Sequence, residues 1–458
     1  MHLRSSLVAL AAAASIAPVS ARAAEVTDVA SAMDERHALE VDLGATYRHL
    51  RKDTKITREN LQADAAGNKG IVLVDELLHT QTTDEMVFRL AVGLWHDLEL
   101  HAFAPLSLRD QQAWDFATLN GASVGPTSTL ANNKLDVSGC LKPGSCQAVA
   151  PILNLPGKSV RTGFRDPTIG IAWSPINEGR ELRLHPELFP PGHPVATWVL
   201  GFDYTLPLPG DVDDPSKFGA AAGMGAVGLP SRGSLRKAHV FTLWTAFSKR
   251  FRVADPYIVI RASAPVAVKS GAIGEGAYDN CWHPELLADV AAVNCADPAW
   301  KNQAQYSPPY EGLFAVGTEL VFYENQQAAQ KFAVDLRGEA HYTSPQRGYT
   351  QAADALGKLT YADEFITGTA SIGLYARAAS WLHARVVAQA GMDTPHFITT
   401  EPIGKDLNGD GRITLSNGTK GSLEQSPTYD FRLDQVGRRL RAETTVIWGL
   451  SGSLQLVF

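Results

Sequence analysis

Beyond its N-terminus the chain contains no apolar run long enough to cross a bilayer as a helix, which takes about 20 consecutive residues. Charged residues interrupt every later apolar segment, so a membrane protein built of helices is excluded. There is no basic excess either. The 41 Lys and Arg stand against 48 Asp and Glu, a formal net charge of −7 that argues against nucleic acid as a partner. Cysteine is scarce, with four in 458 residues. They fall in two local pairs, Cys140 with Cys146 and Cys281 with Cys295, both in segments rich in Gly, Pro, Asn and Asp. In an exported chain such pairs most simply form disulfides that staple loops. His283 lies near Cys281, but the C-x-x-C spacing of a zinc ribbon is missing. The mean hydropathy of −0.09 decides nothing, because a barrel with a polar lumen and an apolar wall also averages close to zero.

What is present begins with a secretory signal. Arg4 supplies a positive charge, Leu7 to Val19 form an apolar run too short to span, and Ala21-Arg22-Ala23 offers the small residues a signal peptidase needs. The expected division is therefore a signal peptide over 1–23, a short periplasmic segment over 24–36, and one domain over 37–458.

The dominant pattern is period-two alternation. Counting back from the C-terminus, Phe458, Leu456, Leu454, Gly452, Leu450, Trp448, Val446 and Thr444 share one face, while Gln455, Ser453, Ser451, Thr445, Glu443 and Arg441 share the other. A strand this long with one apolar and one polar face fits a wall between lipid and a wet lumen. Leu39, Val41, Leu43, Ala45 and Tyr47 repeat the pattern, as do Met86 to Leu94, Phe332 to Tyr342 and Leu382 to Ala390. As helices these segments would carry charge all round the cylinder.

Alternation and turn signals predict about twelve strands, near 37–51, 80–95, 98–112, 163–175, 194–208, 237–252, 256–270, 311–325, 331–346, 362–379, 381–396 and 436–458. Short joins at His96-Asp97, Val253 to Asp255, Asn325 to Gln330 and Ser380 alternate with long ones over 52–79, 113–162, 209–236, 271–310, 347–361 and 397–435. The 176–193 join breaks this rhythm, being longer than a turn. The expected fold is all-β: a transmembrane up-and-down antiparallel barrel with short periplasmic turns and long extracellular loops, in a Gram-negative outer membrane. An even strand count puts both termini on the periplasmic side. Trp95, Trp173, Trp198, Trp381 and Trp448 suit interfacial girdles, although Trp95 and Trp381 fall on the wrong face by parity.

Three segments carry a family likeness: Gly163-Phe164-Arg165-Asp166-Pro167-Thr168-Ile169-Gly170-Ile171, Gly201-Phe202-Asp203-Tyr204-Thr205-Leu206-Pro207, and Phe241 through Phe251. Over roughly the central half, the chain resembles the outer-membrane proteins grouped under the MetA-pathway phenol-degradation name, distant relatives of the FadL-like transporters. The resemblance implies passive uptake of small hydrophobic molecules. Two departures stand out. About twelve strands are expected, and Glu25 to Glu35 is too short for the N-terminal hatch that plugs the fatty-acid barrels.

The lumen receives charges of both signs by parity, among them Arg89, Arg261, Asp335, Arg337, Glu339, His341 and Arg385. These are the candidate constriction residues. Either they pair internally, or the arginines attract anionic solutes. The loop Asp406-Leu407-Asn408-Gly409-Asp410-Gly411-Arg412 has the opening order of an EF-hand calcium loop, with Asp406, Asn408, Asp410 and the Arg412 carbonyl as oxygen ligands. Its twelfth position is Asn417 rather than Glu, and the same residues also make a polar turn. No cofactor is required, and Ca2+ in this loop is the one the motif suggests. No catalytic residues are identified: outward positions are apolar and no G-x-S-x-G element stands out. The function expected is a channel or facilitator for small hydrophobic or aromatic solutes, with outer-membrane lipid and the solute as partners. The alternatives are a closed adhesive barrel with stapled loops, or an outer-membrane lipid hydrolase.

Overall fold

The computed structural model describes residues 24–32, 39–63, 69–124, 128, 130, 157–178, 180–181, 196–208, 212–215, 230–231, 236–268, 277, 279–280, 297–300, 303–325, 327–415 and 422–458. The signal peptide, all four cysteines, Asn417 and most of the 176–193 join lie outside these residues.

Twelve antiparallel strands among the described residues close into a barrel. They are β1 (Val41–Ala63), β2 (Lys69–Trp95), β3 (Leu98–Phe116), β4 in two pieces (Gly157–Phe164 and Thr168–Ile176), β5 (Thr197–Thr205) and β6 (Ala238–Ser248). Then come β7 (Ala254–Ala267), β8 (Glu311–Asn325), β9 (Gln330–Thr343), β10 (Phe365–Ala379), β11 (Leu382–Asp393) and β12 (Thr445–Val457). Each pairs with its sequence neighbours, and β12 returns to β1 from Asp42↔Val457 through Asp53↔Val446. Closure leaves no unpaired edge, which a bilayer would penalise heavily.

The wall has two solvents. On β12, Val446, Trp448, Leu450, Leu454 and Phe458 are exposed on the outside, while Thr445 and Ile447 between them are buried. On β7, Ile258 and Ile260 face out between buried Tyr257 and Val259. An outward apolar band around a closed barrel is what lipid demands, and no helix among the described residues is long and apolar enough to span. Trp95 and Trp381 do lie on the outer surface. Bulges between Gly93 and Trp95, and between Arg377 and Ala379, break the alternation just before each turn and undo the parity count.

Two expected loops are corrected. Residues 52–79 are mostly strand: β1 and β2 stay paired from Val41↔Val92 to Ala63↔Lys69, with one bulge at Ile56/Thr57. Likewise β3 runs on to Phe116 and β4 starts at Gly157. Above the membrane these strands no longer meet lipid, so the apolar alternation that marks a strand in the bilayer disappears from their sequence.

The outward extensions join the long loops in a cap. Its core holds Ile56, Leu77, Trp114, Leu130, Ile398, Leu433 and Leu440 with Ala352, Ala355 and Ala442. The loop between β9 and β10 reaches across the mouth to β3 and β4. Trp114 Nε1 donates to the Gln351 carbonyl at 2.7 Å. Arg161 pairs with Asp354 on that loop and, through Nε at 2.7 Å, with Asp213. Both ion pairs are buried, and they join segments from opposite sides of the barrel over its extracellular end.

Candidate functional site

The lower lumen is polar on one wall and apolar on the other. Asp42, Arg89, Glu99, His101 and Asp203 come from β1, β2, β3 and β5, where alternation turns their side chains inward. Arg89 lies 3.5 Å from Asp42 and 3.0 Å from Glu99. His101 sits between Glu99 at 3.0 Å and Asp203 at 2.8 Å. Further round, Asp335 accepts a hydrogen bond from Tyr257 Oη at 2.6 Å and pairs with Arg385 at 2.6 Å. Gly317 leaves room for that ring, since a Cβ there would lie 2.4 Å from Tyr257. Arg337 pairs with Glu339 at 2.5 Å, and His341 lies 3.7 Å from Glu311 near the extracellular end. Arg261 lines a luminal cavity of about 220 Å³ and has no ion-pair partner among the described residues. Of the candidate arginines, Arg89, Arg337 and Arg385 are thus neutralised by neighbours. Among these four arginines, Arg261 is the one with no ion-pair partner among the described residues, so internal pairing prevails over an arginine-lined constriction.

The N-terminal segment lines the same cavity. Short as it is, it crosses the lumen, against the expectation that it could not act as a hatch. Glu25 N–H donates to Glu319 on β8 at 3.0 Å, and its carboxylate lies 3.3 Å from Arg385 on β11. Thr27 Oγ1 meets Ser248 Oγ of β6 at 2.7 Å. At the far side Ala30 N–H donates to Glu99 at 2.8 Å, and Ser31 N–H to Glu40 at 3.2 Å. Ser31 passes so close to β2 that a Cβ on Gly93 would lie 2.3 Å from its carbonyl oxygen. A glycine is required there.

Sequence parity missed the wall that receives this segment. Val26 and Val29 pack on Ala172, Val199, Ala246, Tyr257, Val259 and Ala315, inward residues of five consecutive strands, β4 to β8. Attention to inward charges passed over them. Their signal was legible: small apolar residues at inward positions on adjacent strands leave a strip that only another piece of chain, or a ligand, can cover.

The calcium-like loop is exposed at the extracellular surface. Asp406 accepts the amides of Gly409, Asp410 and Gly411 at 2.7, 3.2 and 2.7 Å. These backbone hydrogen bonds hold its carboxyl below the ordinary range. Asn408 Oδ1 accepts the Asp410 amide, and Asp410 Oδ1 accepts that of Arg412. Glu424, unmarked by the motif, accepts the Thr414 amide at 2.7 Å. Among the described residues no group of three or more His, Cys, Asp or Glu is placed to hold a metal ion.

No protein-family model and no curated protein sequence matches the chain. Solved structures similar to it include an outer membrane channel from Pseudomonas putida F1, at 9% identity and TM-score 0.38 over 91% of this chain and 96% of that one. A Pseudomonas aeruginosa FadL homologue gives 10% and 0.34 over 92% and 90%. A TodX monoaromatic hydrocarbon channel mutant gives 9% and 0.33 over 92% and 90%. At these identities and scores the likeness carries no argument about what the chain does. The chain's own geometry, with its apolar outer band, closed strand ring and polar lumen, is that of a multi-pass β-barrel of the Gram-negative outer membrane.

Proposed function

We propose that the protein is an outer-membrane facilitator for passive uptake of small solutes, held closed at rest by its N-terminal segment. One observation carries this reading: a short N-terminal segment crosses the lumen and rests on inward residues of β4 to β8, beside a luminal cavity of about 220 Å³. A purely structural barrel can fill itself with large inward residues. Here Ala172, Ala246 and Ala315 leave room on the wall beside Tyr257, and residues 24–32 lie against it, held by contacts to Glu319, Arg385, Ser248, Glu99 and Glu40. Uptake requires that these contacts break. Internal pairing of Arg89, Arg337 and Arg385 gives little field for selecting ions, which suits solutes chosen by shape and apolar surface, including aromatic ones as the resemblance implies.

The test is planar-bilayer conductance and liposome flux of the mature protein, of a deletion of residues 24–32, and of a Glu40→Ala/Glu99→Ala/Glu319→Ala variant. The expected result is low conductance for the parent, intermittent openings for the triple variant, and a steadily open pore for the deletion. A deletion variant that folds and stays closed would overturn the reading in favour of a closed adhesive barrel. A lipid hydrolase finds no support in the outward wall, and a phospholipase assay in detergent with added Ca2+ would expose one. Residues 406–412 enter this reading as a self-capped surface turn.

A further inference from the structure

A second cavity, of about 420 Å³, lies in the extracellular cap. That size falls in the range that holds a small organic molecule. Its walls come from segments far apart in sequence: the top of β7, residues 303–310, and residues near 347, 361, 401–405 and 426. Trp300, Tyr306 and Tyr361 supply aromatic surface. Trp300 and Tyr306 are buried, and the Trp300 indole N–H is committed to the Leu423 carbonyl, so these walls are set before any ligand arrives.

The charges do not balance. Arg347 is matched by Glu401 through two parallel hydrogen bonds, one of 2.8 Å from Nε. Lys405 has no such partner among the described residues. Its ammonium sits 4.6 Å from the centre of the Trp300 ring and donates to Gln303 Oε1. An ammonium has three donors, so some remain for a ligand. Burial, and then the Arg347 charge, push Lys405 below its ordinary value, a cost that an anion beside it would relieve. Gln305, 8% exposed, completes the polar lining beside Gln303.

We propose that this cavity is an extracellular capture site for small ring-bearing carboxylates, the ring lying among Trp300, Tyr306 and Tyr361 and the carboxylate on Lys405. A neutral hydrocarbon would fill the same space but leave the lysine unmatched. The site gives the uptake reading a substrate class, and its role in uptake rests on that reading; the binding itself does not.

Calorimetric titration of the full mature protein in detergent tests it, with benzoate as probe and acetate and benzyl alcohol as controls. Saturable benzoate binding is expected, with acetate silent and benzyl alcohol weaker. Lys405→Gln should weaken benzoate at least about tenfold, a loss of roughly 1.4 kcal/mol, while Lys405→Arg retains most of it. Absence of benzoate binding, or binding that Lys405→Gln leaves unchanged, overturns the site. Flux through the 24–32 deletion variant, measured beside the titration, separates the two proposals: binding without flux in that variant upholds the site and removes the uptake reading, whereas flux without binding does the reverse.

Discussion

The two ends of this barrel are closed by different physics. At the extracellular end, loops from opposite walls share an apolar core around Leu130, Ile398, Leu433 and Leu440 and the buried Arg161–Asp213–Asp354 group. In the lower lumen a nine-residue segment rests on an alanine-rich strip and hangs from glutamates on β8, β3 and the approach to β1. Burying large aliphatic side chains stabilises by roughly 1.5–3 kcal/mol each. A hydrogen bond that water can replace contributes about 1 kcal/mol net. The cap thus rests mainly on buried aliphatic side chains, and the segment on polar contacts to the wall and a smaller apolar strip. The contrast teaches that one barrel can be covered at its mouth by loop packing and crossed below by a short piece of chain.

Arg161→Ala should break the lid side hardest. It leaves Asp354 and Asp213 buried without their cation, at a cost of about 3–5 kcal/mol, read as lost hydrogen-exchange protection over 353–356 and 433–440. Unchanged protection would mean that the apolar core alone holds the cap. Next in size, Leu454→Arg, near mid-height of the outward stripe, should cost about 2–4 kcal/mol of barrel stability, measured by denaturant titration in lipid vesicles. Ser453→Arg, one residue away on the lumen side, should cost far less, and equal losses would sink the two-solvent account of the wall. Smaller again is Glu99→Gln. It weakens one plug contact and unbalances Arg89, so the barrel should keep its melting temperature within a few degrees while brief conductance openings become more frequent. Smallest is the effect of calcium: titration of the wild type and of Asp410→Ala should give equally flat traces. Heat that disappears in the variant would assign the 406–417 loop to a metal.

Much of this could be read along the chain, and the gaps have physical causes. In the bilayer every second residue must be apolar, so β8 could be placed at 311–325 to the residue and the short turns to within a few. Past the membrane that constraint ends, which is why the extensions of β1 and β2 read as loop. Parity turned Arg89, Arg385 and Asp335 inward, yet parity gives only a direction. Which residues they meet depends on neighbours up to about 400 positions away, as when Gln455 reaches Asp42. The segment from Ala24 to Ala32 has no periodicity to betray it, and only the small inward residues of β4 to β8 hinted that something must lie against them. Trp300, Lys405 and Gln305 carried no motif at all.

The sequence by itself determined the all-β class, the bilayer portions of the strands and most of their inward and outward faces, because the choice between lipid and water is made residue by residue along each strand. Only the tertiary structure decided how each end is closed, which arginines are neutralised and where a cavity opens in the cap. Those depend on ring closure and loop packing, which bring together side chains that no local rule connects.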